Sequence, residues 1–259
     1  MEYEIWLNGE YVVRSEAKIS MMDGGFRLGD VVFDTSRTFE GKVFRLRDHI
    51  ERLYRSLKYI RIDPGMTIDD MEKLTEEVVL RNEPIRQQNG DYMITQIVTG
   101  GERGRVTQNK TPNISIWIDP IDFPRYSTLF KEGAHVVIPN TRAYSSMQVD
   151  PKIKHYNRLN FVLAELEVSD IDPDAFPLLL DTDGNISESS GANFFLVSGG
   201  VLKTPDDGSV LQGVSRATLL ELAEKLGIPT SIEPLQPYDV YTAEEAFLCS
   251  TPYCLLPVG

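Results

Sequence analysis

The chain has 259 residues, of which 41% are hydrophobic, and a formal net charge of -13 at pH 7. This length suits one large globular domain or two smaller ones. The acidic balance disfavours nucleic-acid binding, because a negative surface repels a phosphate backbone. No apolar run approaches the roughly 20 residues of a membrane span, and the two cysteines and three histidines show no metal-like spacing. We therefore expect a cytoplasmic protein with free thiols and without metal, membrane or nucleic-acid partners.

The first half of the chain alternates strand and helix signals. Asn8-Gly9 between two apolar runs predicts a hairpin, and residues 31–39 predict a strand. Apolar residues from Ile50 to Ile60 share one helical face, and Thr67-Ile-Asp-Asp70 resembles the capping box of a second helix that runs to about Asn82. Further strands are predicted at 92–98 and 113–118.

A proline-containing segment separates the two halves. Asp119 to Pro124 has two prolines in six residues, which disfavours both a helix and an interior strand. We therefore place an interdomain linker at 120–127, between an N-terminal α/β domain (1–119) and a C-terminal domain (128–259).

The second half again mixes strands and helices. Strands are predicted near 134–138, 176–180, 193–197 and 245–250, and helices follow Lys154 and Ser215, the latter ending at Leu226 before Gly227. Together the two halves predict an α+β fold.

Lys154 and Glu188 indicate the chemistry. Lys154 lies just before a predicted amphipathic helix, and Glu188 opens Glu-Ser-Ser-Gly-Ala-Asn-Phe-Phe at the mouth of a strand. A lysine that forms a Schiff base and a carboxylate that keeps a pyridine nitrogen protonated are the groups a pyridoxal phosphate enzyme supplies. Taken alone, Lys154 is also interpretable as a solvated lysine, with Lys152 as a competitor, and Glu188 as a surface-turn acid. Asn193 either orients the Glu188 carboxylate or bonds the backbone.

Two short segments and one arginine are candidates for phosphate binding. Gly213-Val214-Ser215 precedes a helix, whose free N–H groups suit an anion, although Ser215 is also a candidate N-cap. Ser250-Thr251 ends a strand with two hydroxyl groups. Arg52 offers a charged contact to phosphate, although an arginine on this basic helix is also compatible with a solvated face.

Six segments in this order resemble the class IV, or fold-type IV, pyridoxal phosphate enzymes. This family includes branched-chain and D-amino acid aminotransferases, R-selective amine transaminases and aminodeoxychorismate lyase. The matching segments are Gly29-Asp30-Val-Val-Phe33-Asp34, Phe44-Arg-Leu-Arg-Asp-His-Ile-Glu-Arg52-Leu, Lys154-His-Tyr-Asn-Arg-Leu, Glu188-Ser-Ser-Gly-Ala-Asn193-Phe, Leu211-Gln-Gly-Val-Ser-Arg216 and Ser250-Thr251 followed by Pro257-Val258.

The resemblance implies a role for each matching residue. Lys154 would carry the cofactor and shuttle the proton, and Glu188 would hold the pyridine nitrogen. Phosphate would be bound by Arg52, Val214, Ser215 and Thr251. The resemblance also implies a small N-terminal α/β domain, a larger C-terminal pseudo-barrel with the cofactor between them, and a homodimer with a shared active site.

The substrate residues are less well defined. Phe33 stands where D-amino acid enzymes often have tyrosine, and the carboxylate-binding arginine of those enzymes would fall near Thr99-Gly100-Gly101, where none stands. We expect the two glycines to open space there. The candidate replacements are Arg37, the first choice, followed by Arg103, Arg105 and Arg142.

These features predict transamination between an amino acid or amine and a 2-oxo acid, with pyridoxal 5'-phosphate as cofactor. The main rival is an aminodeoxychorismate lyase activity. Two segments resemble the lyase most: Lys154-His-Tyr-Asn-Arg-Leu and Phe33-Asp-Thr-Ser-Arg37. A more distant rival is a binding protein that keeps the fold without turnover, against which the presence of both Lys154 and Glu188 argues.

Overall fold

The computed structural model describes residues 2–102 and 111–259. The chain forms two compact units. The first unit contains the residues up to Ile121 together with Ile153–Asn157, and the second contains Asp122–Lys152 and Arg158–Gly259. Sheets and helices occur together, so the predicted α+β class is confirmed. The predicted domain division stays a prediction, but the segment around Lys154 groups with the first unit.

The first unit contains a six-stranded antiparallel sheet in the order β2-β1-β6-β5-β3-β4. Its strands are β1 (Glu4–Leu7), β2 (Glu10–Val13), β3 (Val31–Phe39), β4 (Lys42–Val43), β5 (Tyr92–Thr99) and β6 (Ile114–Pro120). Its helices are α1 (Gly24–Leu28), α2 (Leu46–Ile60), α3 (Ile68–Arg81) and α4 (Glu83–Asn89).

Local sequence signals account for most of this unit. The hairpin at Asn8-Gly9, strands β3, β5 and β6, and helices α2 and α3 are confirmed. Thr67 and Asp70 form the predicted capping box. Ile50, Leu53 and Leu57 of α2 are buried, and such a side chain contributes roughly 1.5–3 kcal/mol by burial.

The second unit contains two smaller sheets. One has the order β12-β11-β10-β13-β14, and the other has the order β7-β8-β9. The strands are β7 (Val136–Val137), β8 (Phe176–Leu180), β9 (Ile186–Ser189), β10 (Asn193–Ser198), β11 (Val201–Thr204), β12 (Thr230–Ile232), β13 (Glu245–Ser250) and β14 (Cys254–Pro257). The helices are α5 (Phe123–Glu132), α6 (Leu159–Ser169), α7 (Val214–Leu226) and α8 (Pro237–Tyr241).

Residues of the proposed linker belong to regular elements, which corrects the sequence-based interpretation. Pro120 is the last residue of β6, and Pro124 lies in the first turn of α5, where a missing N–H costs no helical hydrogen bond. Asp122 caps this helix by accepting a hydrogen bond from the backbone N–H of Arg125 at 3.1 Å. Prolines thus mark the ends of two elements here.

Two further details of the second unit differ from expectation. Helix α7 begins at Val214 with Gly213 as its N-cap, so Ser215 is inside the first turn rather than capping it. Helix α6 is not amphipathic in the expected way, because large apolar side chains lie on its exposed surface: Leu159, Val162, Leu163 and Leu166, between 47% and 65% exposed.

Candidate functional site

The backbone around Lys154 is fixed against β3 and α2. Residues Val32 and His155 form an antiparallel bridge, and the Phe33 N–H donates to the Lys154 carbonyl at 3.0 Å. The Lys154 N–H donates to the Ser56 hydroxyl at 3.2 Å, and that hydroxyl donates to the Arg52 carbonyl at 3.2 Å. Lys154 therefore sits on a segment bonded to two elements, five residues before α6 begins at Leu159.

The competing lysine has a different environment. The Lys152 ammonium forms an ion pair with the Asp150 carboxylate at 2.9 Å, and both side chains are partly exposed. The Lys154 ammonium instead lies 4.6 Å from the centroid of the Phe33 ring. Phe33 is buried and stacks on Tyr156, with ring centroids 3.9 Å apart and planes 12° apart.

Arg52 belongs to a buried charged cluster rather than to a solvated face. Its Nε and one terminal nitrogen donate to the two oxygens of Asp34 at 2.7 and 2.8 Å. His49 Nδ1 lies 2.7 Å from the same carboxylate. His49, Arg52 and Ser56, at helical spacings of three and four, bury one side of α2 against β3.

The charges in this cluster determine its protonation. Burial alone would raise the pKa of the Asp34 carboxyl, but the Arg52 charge and the hydrogen bonds from His49 and Arg52 lower it below its ordinary value. Burial lowers the pKa of His49, and the positive charges of Arg52 and Lys154 lower it further. The hydrogen bond to Asp34 acts in the opposite direction and offsets only part of this shift. A neutral imidazole then donates from Nδ1 to an ionised Asp34.

Of the four arginines proposed for the substrate, two lie in the described residues. Arg37 is on β3, 8% exposed, with Nε donating to the Thr38 carbonyl at 3.1 Å and its guanidinium 4.1 Å from the Phe39 ring centroid. Arg142 donates to the carbonyls of Pro139 and Asn140 at 2.8 and 2.7 Å, which ties it to its own loop. Arg103 and Arg105 lie outside the described residues.

Gly101, in the turn after β5, does not face open space, contrary to the sequence-based expectation for this residue. Gly101 has a φ of +67°, and a Cβ built on it would lie 1.8 Å from the Thr111 carbonyl oxygen. Thr99 is buried and donates to Asp23 at 2.7 Å. The glycine at 101 is therefore required by backbone conformation and by close packing.

In the second unit, Glu188 is within strand β9 rather than at the mouth of β10. Its Oε2 accepts a hydrogen bond from the Leu211 N–H at 3.0 Å and one from the Asn193 amide at 3.4 Å. Asn193 also donates to the Leu211 carbonyl at 2.9 Å, so it does both of the things that the sequence left open. These donors orient a half-buried carboxylate.

The start of α7 closely approaches Asn193, which donates to this carboxylate. A Cβ on Gly213 would lie 2.1 Å from the Asn193 side-chain oxygen, although the φ of Gly213, -66°, suits any residue. No side chain caps the helix. The N–H groups of its first turn, which includes Val214 and Ser215, are therefore available to bind an anion at the positive end of the helix dipole.

The end of β13 lies beside the same residues. Asn193 pairs with Cys249 across the sheet, and the next residue, Ser250, donates to the Gly191 carbonyl at 2.5 Å. Thr251 follows in the turn to β14. The second unit thus gathers Glu188, Asn193, the Gly213 helix end and the Ser250-Thr251 turn in one region.

The donors of the second unit suit parts of pyridoxal phosphate: the Glu188 carboxylate suits a pyridinium nitrogen, and the uncapped helix end suits a phosphate. In the first unit, the Lys154 amine suits an aldehyde. Among the described residues, no group of histidine, cysteine, aspartate and glutamate could hold a metal ion. No helix in the described ranges is long and apolar enough to cross a membrane. Both cysteines are free, and burial raises the pKa of the Cys249 thiol to about 12.

Several residues of these clusters had no role assigned from the sequence. Asp34 and His49 lie inside matching segments but carry no motif signal of their own, and Ser56 and Tyr156 acquire partners only through β3. The spacing of His49, Arg52 and Ser56 along one helical face was the available signal for the buried cluster.

Comparisons with known proteins agree with this chemistry. The family model described as amino-transferase class IV matches residues 31–259. A putative branched-chain-amino-acid aminotransferase of Methanocaldococcus jannaschii is 34% identical over 257 residues, covering 98% of this chain and 86% of the relative. The aminodeoxychorismate lyase of Bacillus subtilis (strain 168) is 28% identical over 255 residues, covering 98% and 85%.

A solved structure is similar over the whole chain. The branched-chain aminotransferase of the thermophilic archaeon Thermoproteus uzoniensis, solved with norvaline, has a TM-score of 0.89 at 27% identity, covering 100% of this chain and 86% of that one. Another similar structure, also of a branched-chain amino acid aminotransferase, is complexed with N-(5'-phosphopyridoxyl)-L-glutamate. The chain therefore belongs to the class IV aminotransferase family, and it is a fold-type IV enzyme that catalyses pyridoxal phosphate-dependent transamination.

Proposed function

We propose that Lys154 is the cofactor lysine and that the enzyme transaminates amino acids with branched aliphatic side chains, with a 2-oxo acid as acceptor. The observation that carries the Lys154 assignment is its anchored backbone, bonded through both N–H and carbonyl to α2 and β3. The substrate class is inferred from the similarity to the putative branched-chain-amino-acid aminotransferase of Methanocaldococcus jannaschii and to the branched-chain aminotransferase of Thermoproteus uzoniensis.

Each proposed residue has a defined task. When bound, pyridoxal phosphate supplies an electron sink for negative charge at the alpha carbon of the substrate. The Nζ of Lys154 takes the proton from that carbon. Glu188, oriented by Asn193 and Leu211, holds a proton on the pyridine nitrogen.

The phosphate would be bound by the helix end and the adjacent turn. We assign to it the backbone N–H groups of Val214 and Ser215, the approach of Gly213, and the hydroxyl groups of Ser250 and Thr251. Arg52 is assigned to the same phosphate, as the family resemblance implies. Its bidentate pairing with Asp34 holds the planar guanidinium in one orientation, which supports a directional contact.

Phe33 and one arginine are assigned to the substrate. Arg37 remains the first candidate for its carboxylate, since it lies on the same face of β3 as Phe33. Arg142 is less suited, because two carbonyls of its own loop hold one of its terminal nitrogens. Arg103 and Arg105 remain candidates from the sequence.

A lyase that releases pyruvate from aminodeoxychorismate is the second candidate, favoured by the similarity to the Bacillus subtilis lyase. A half-reaction screen separates the two. Purified enzyme is mixed with L-leucine, L-valine, D-alanine, an R-amine or aminodeoxychorismate, and the cofactor absorbance is followed. Conversion to the pyridoxamine form by the branched L-amino acids supports the proposal. Pyruvate release without conversion identifies the lyase.

We also propose a cytoplasmic homodimer that shares its active site between subunits. The apolar exposed side of α6, formed by Leu159, Val162, Leu163 and Leu166, is the kind of surface that a second copy covers. Sedimentation equilibrium tests this assembly: a mass that stays that of one chain at all concentrations would contradict it.

A further inference from the structure

In the first unit, the side chains of Lys154 and Tyr156 both lie against the ring of Phe33. The segment that carries Lys154 and Tyr156 is bonded to β3 through the bridge between Val32 and His155. Phe33 is the residue of β3 whose N–H bonds the Lys154 carbonyl. Its ring stacks on Tyr156 at 3.9 Å and has the Lys154 ammonium 4.6 Å from its centroid.

This arrangement gives the lysine amine a defined position. An ammonium is attracted to the negative face of an aromatic ring within about 6 Å. A lysine side chain has a flexible four-carbon stem, so its amine is positioned only if its partner is fixed. Phe33 is 8% exposed and held by the stack, whereas Tyr156 is 37% exposed, so its outer edge carries little packing of the core.

We propose that Tyr156 is a positioning residue, which holds the Phe33 ring as the resting place of the Lys154 amine whenever that amine is not joined to the cofactor. This inference rests on the proposed role of Lys154. Losing the stack would let the ring and the amine adopt other positions. Fewer molecules would then present the amine to an incoming aldehyde.

Attachment of the cofactor to the apo-enzyme tests this without any amino substrate. Apo-enzyme is mixed with pyridoxal phosphate, the rate of attachment is followed by absorbance, and the adduct is fixed with borohydride and mapped. Tyr156→Leu removes the ring, and the matched control Tyr156→Phe keeps it. We expect Tyr156→Leu to attach about two- to tenfold more slowly, the range of an aromatic pair, and Tyr156→Phe to stay near the wild-type rate.

A second ligand separates positioning of the amine from general damage to the site. Pyridoxamine phosphate has no aldehyde and cannot attach to Lys154, so its affinity should be unchanged in Tyr156→Leu. Three results would each overturn the inference. They are a loss of pyridoxamine phosphate affinity in Tyr156→Leu as large as its slowing of attachment, an unchanged attachment rate in Tyr156→Leu, and the same slowing in Tyr156→Phe as in Tyr156→Leu. If Tyr156→Leu does not fold, Phe33→Leu tests the ring directly and should slow attachment likewise, and a wild-type rate in that variant would overturn the inference.

The outcome for the proposed function is read separately. A wild-type adduct on a residue other than Lys154 refutes the cofactor-lysine assignment. An adduct on Lys154 in every variant, formed at one common rate, refutes only the role of Tyr156.

Discussion

Two arginines on α2, five residues apart, show how burial changes what an ion pair contributes. Arg47 is 45% exposed and contacts the carboxylates of Glu51, Asp69 and Glu72 at the surface. Arg52 is 4% exposed and has the fully buried Asp34 as its partner. Removing one partner of a buried pair leaves an uncompensated charge, whereas an exposed pair is worth little.

We predict that Asp34→Asn destabilises the enzyme by about 3–5 kcal/mol at pH 7, because it leaves the Arg52 charge buried. The folded pKa of Asp34 lies below its ordinary value of 3.8, so its stabilisation is present above that pH and is lost as pH falls toward the folded pKa. The difference in the free energy of unfolding between wild type and variant should therefore be about 1 kcal/mol smaller at pH 3 than at pH 7. Urea unfolding at both pH values measures it.

Asp69→Asn is the matched control on the exposed pair. It should cost at most about 1 kcal/mol at pH 7, because an exposed ion pair contributes little to stability. Equal destabilisation by both substitutions would mean that the buried cluster does not hold α2 on β3.

Glu188→Gln tests the proposed acid in the second unit. A neutral amide keeps the shape of Glu188 but cannot hold the pyridine nitrogen protonated, so we expect turnover to fall about 100- to 1000-fold while cofactor stays bound. Steady-state kinetics with a cofactor titration measures both. Glu224→Gln, on the exposed side of α7, should retain full turnover. Near-normal turnover in Glu188→Gln would leave Glu188 as a structural strand residue.

At the scale of elements, the glycines at the two ends of α7 are required for different reasons. Gly227 ends the helix with a φ of +69° and has nothing within 4 Å of its Cβ position. Gly213 has an ordinary φ, but its Cβ position is occupied by Asn193. One glycine is needed for its conformation and the other for space beside a proposed site residue.

We predict that alanine separates these two reasons. Gly213→Ala should displace Asn193 and raise the cofactor dissociation constant by about one to two decades. Gly227→Ala should cost about 1–2 kcal/mol of stability and leave cofactor affinity unchanged. Apo-enzyme titration and urea unfolding measure the two effects. The same change in cofactor affinity in both variants would contradict the proposed contact of Gly213 with the site.

The elements that could be predicted from the sequence are those whose signal is local. The turn at Asn8-Gly9, the capping box at Thr67 and strand β6 each depend on neighbouring residues, and the sequence predicts each of them. The burial of Arg52 could not be predicted from the sequence, because it depends on Asp34, which lies eighteen residues earlier on another element. The partners of Lys154 and Gly213 likewise come from distant chain segments, so their spatial reasons appear only in the fold.

At the scale of the whole molecule, the two units supply complementary chemistry. The first contributes an anchored lysine with an aromatic partner and a buried arginine, and the second contributes an oriented carboxylate and an uncapped helix end. We propose that the lysine supplies the amine, the carboxylate the partner of the ring nitrogen and the helix end the phosphate site. Transamination with pyridoxal phosphate uses all three.

Borohydride reduction of the cofactor-loaded enzyme, followed by peptide mapping, tests most directly whether Lys154 carries pyridoxal phosphate. Lys152, two residues earlier and paired with Asp150, is an internal comparison within the same peptide region. We predict one pyridoxyl adduct, on Lys154. An adduct on Lys152, or no adduct after cofactor is added, would contradict the assignment.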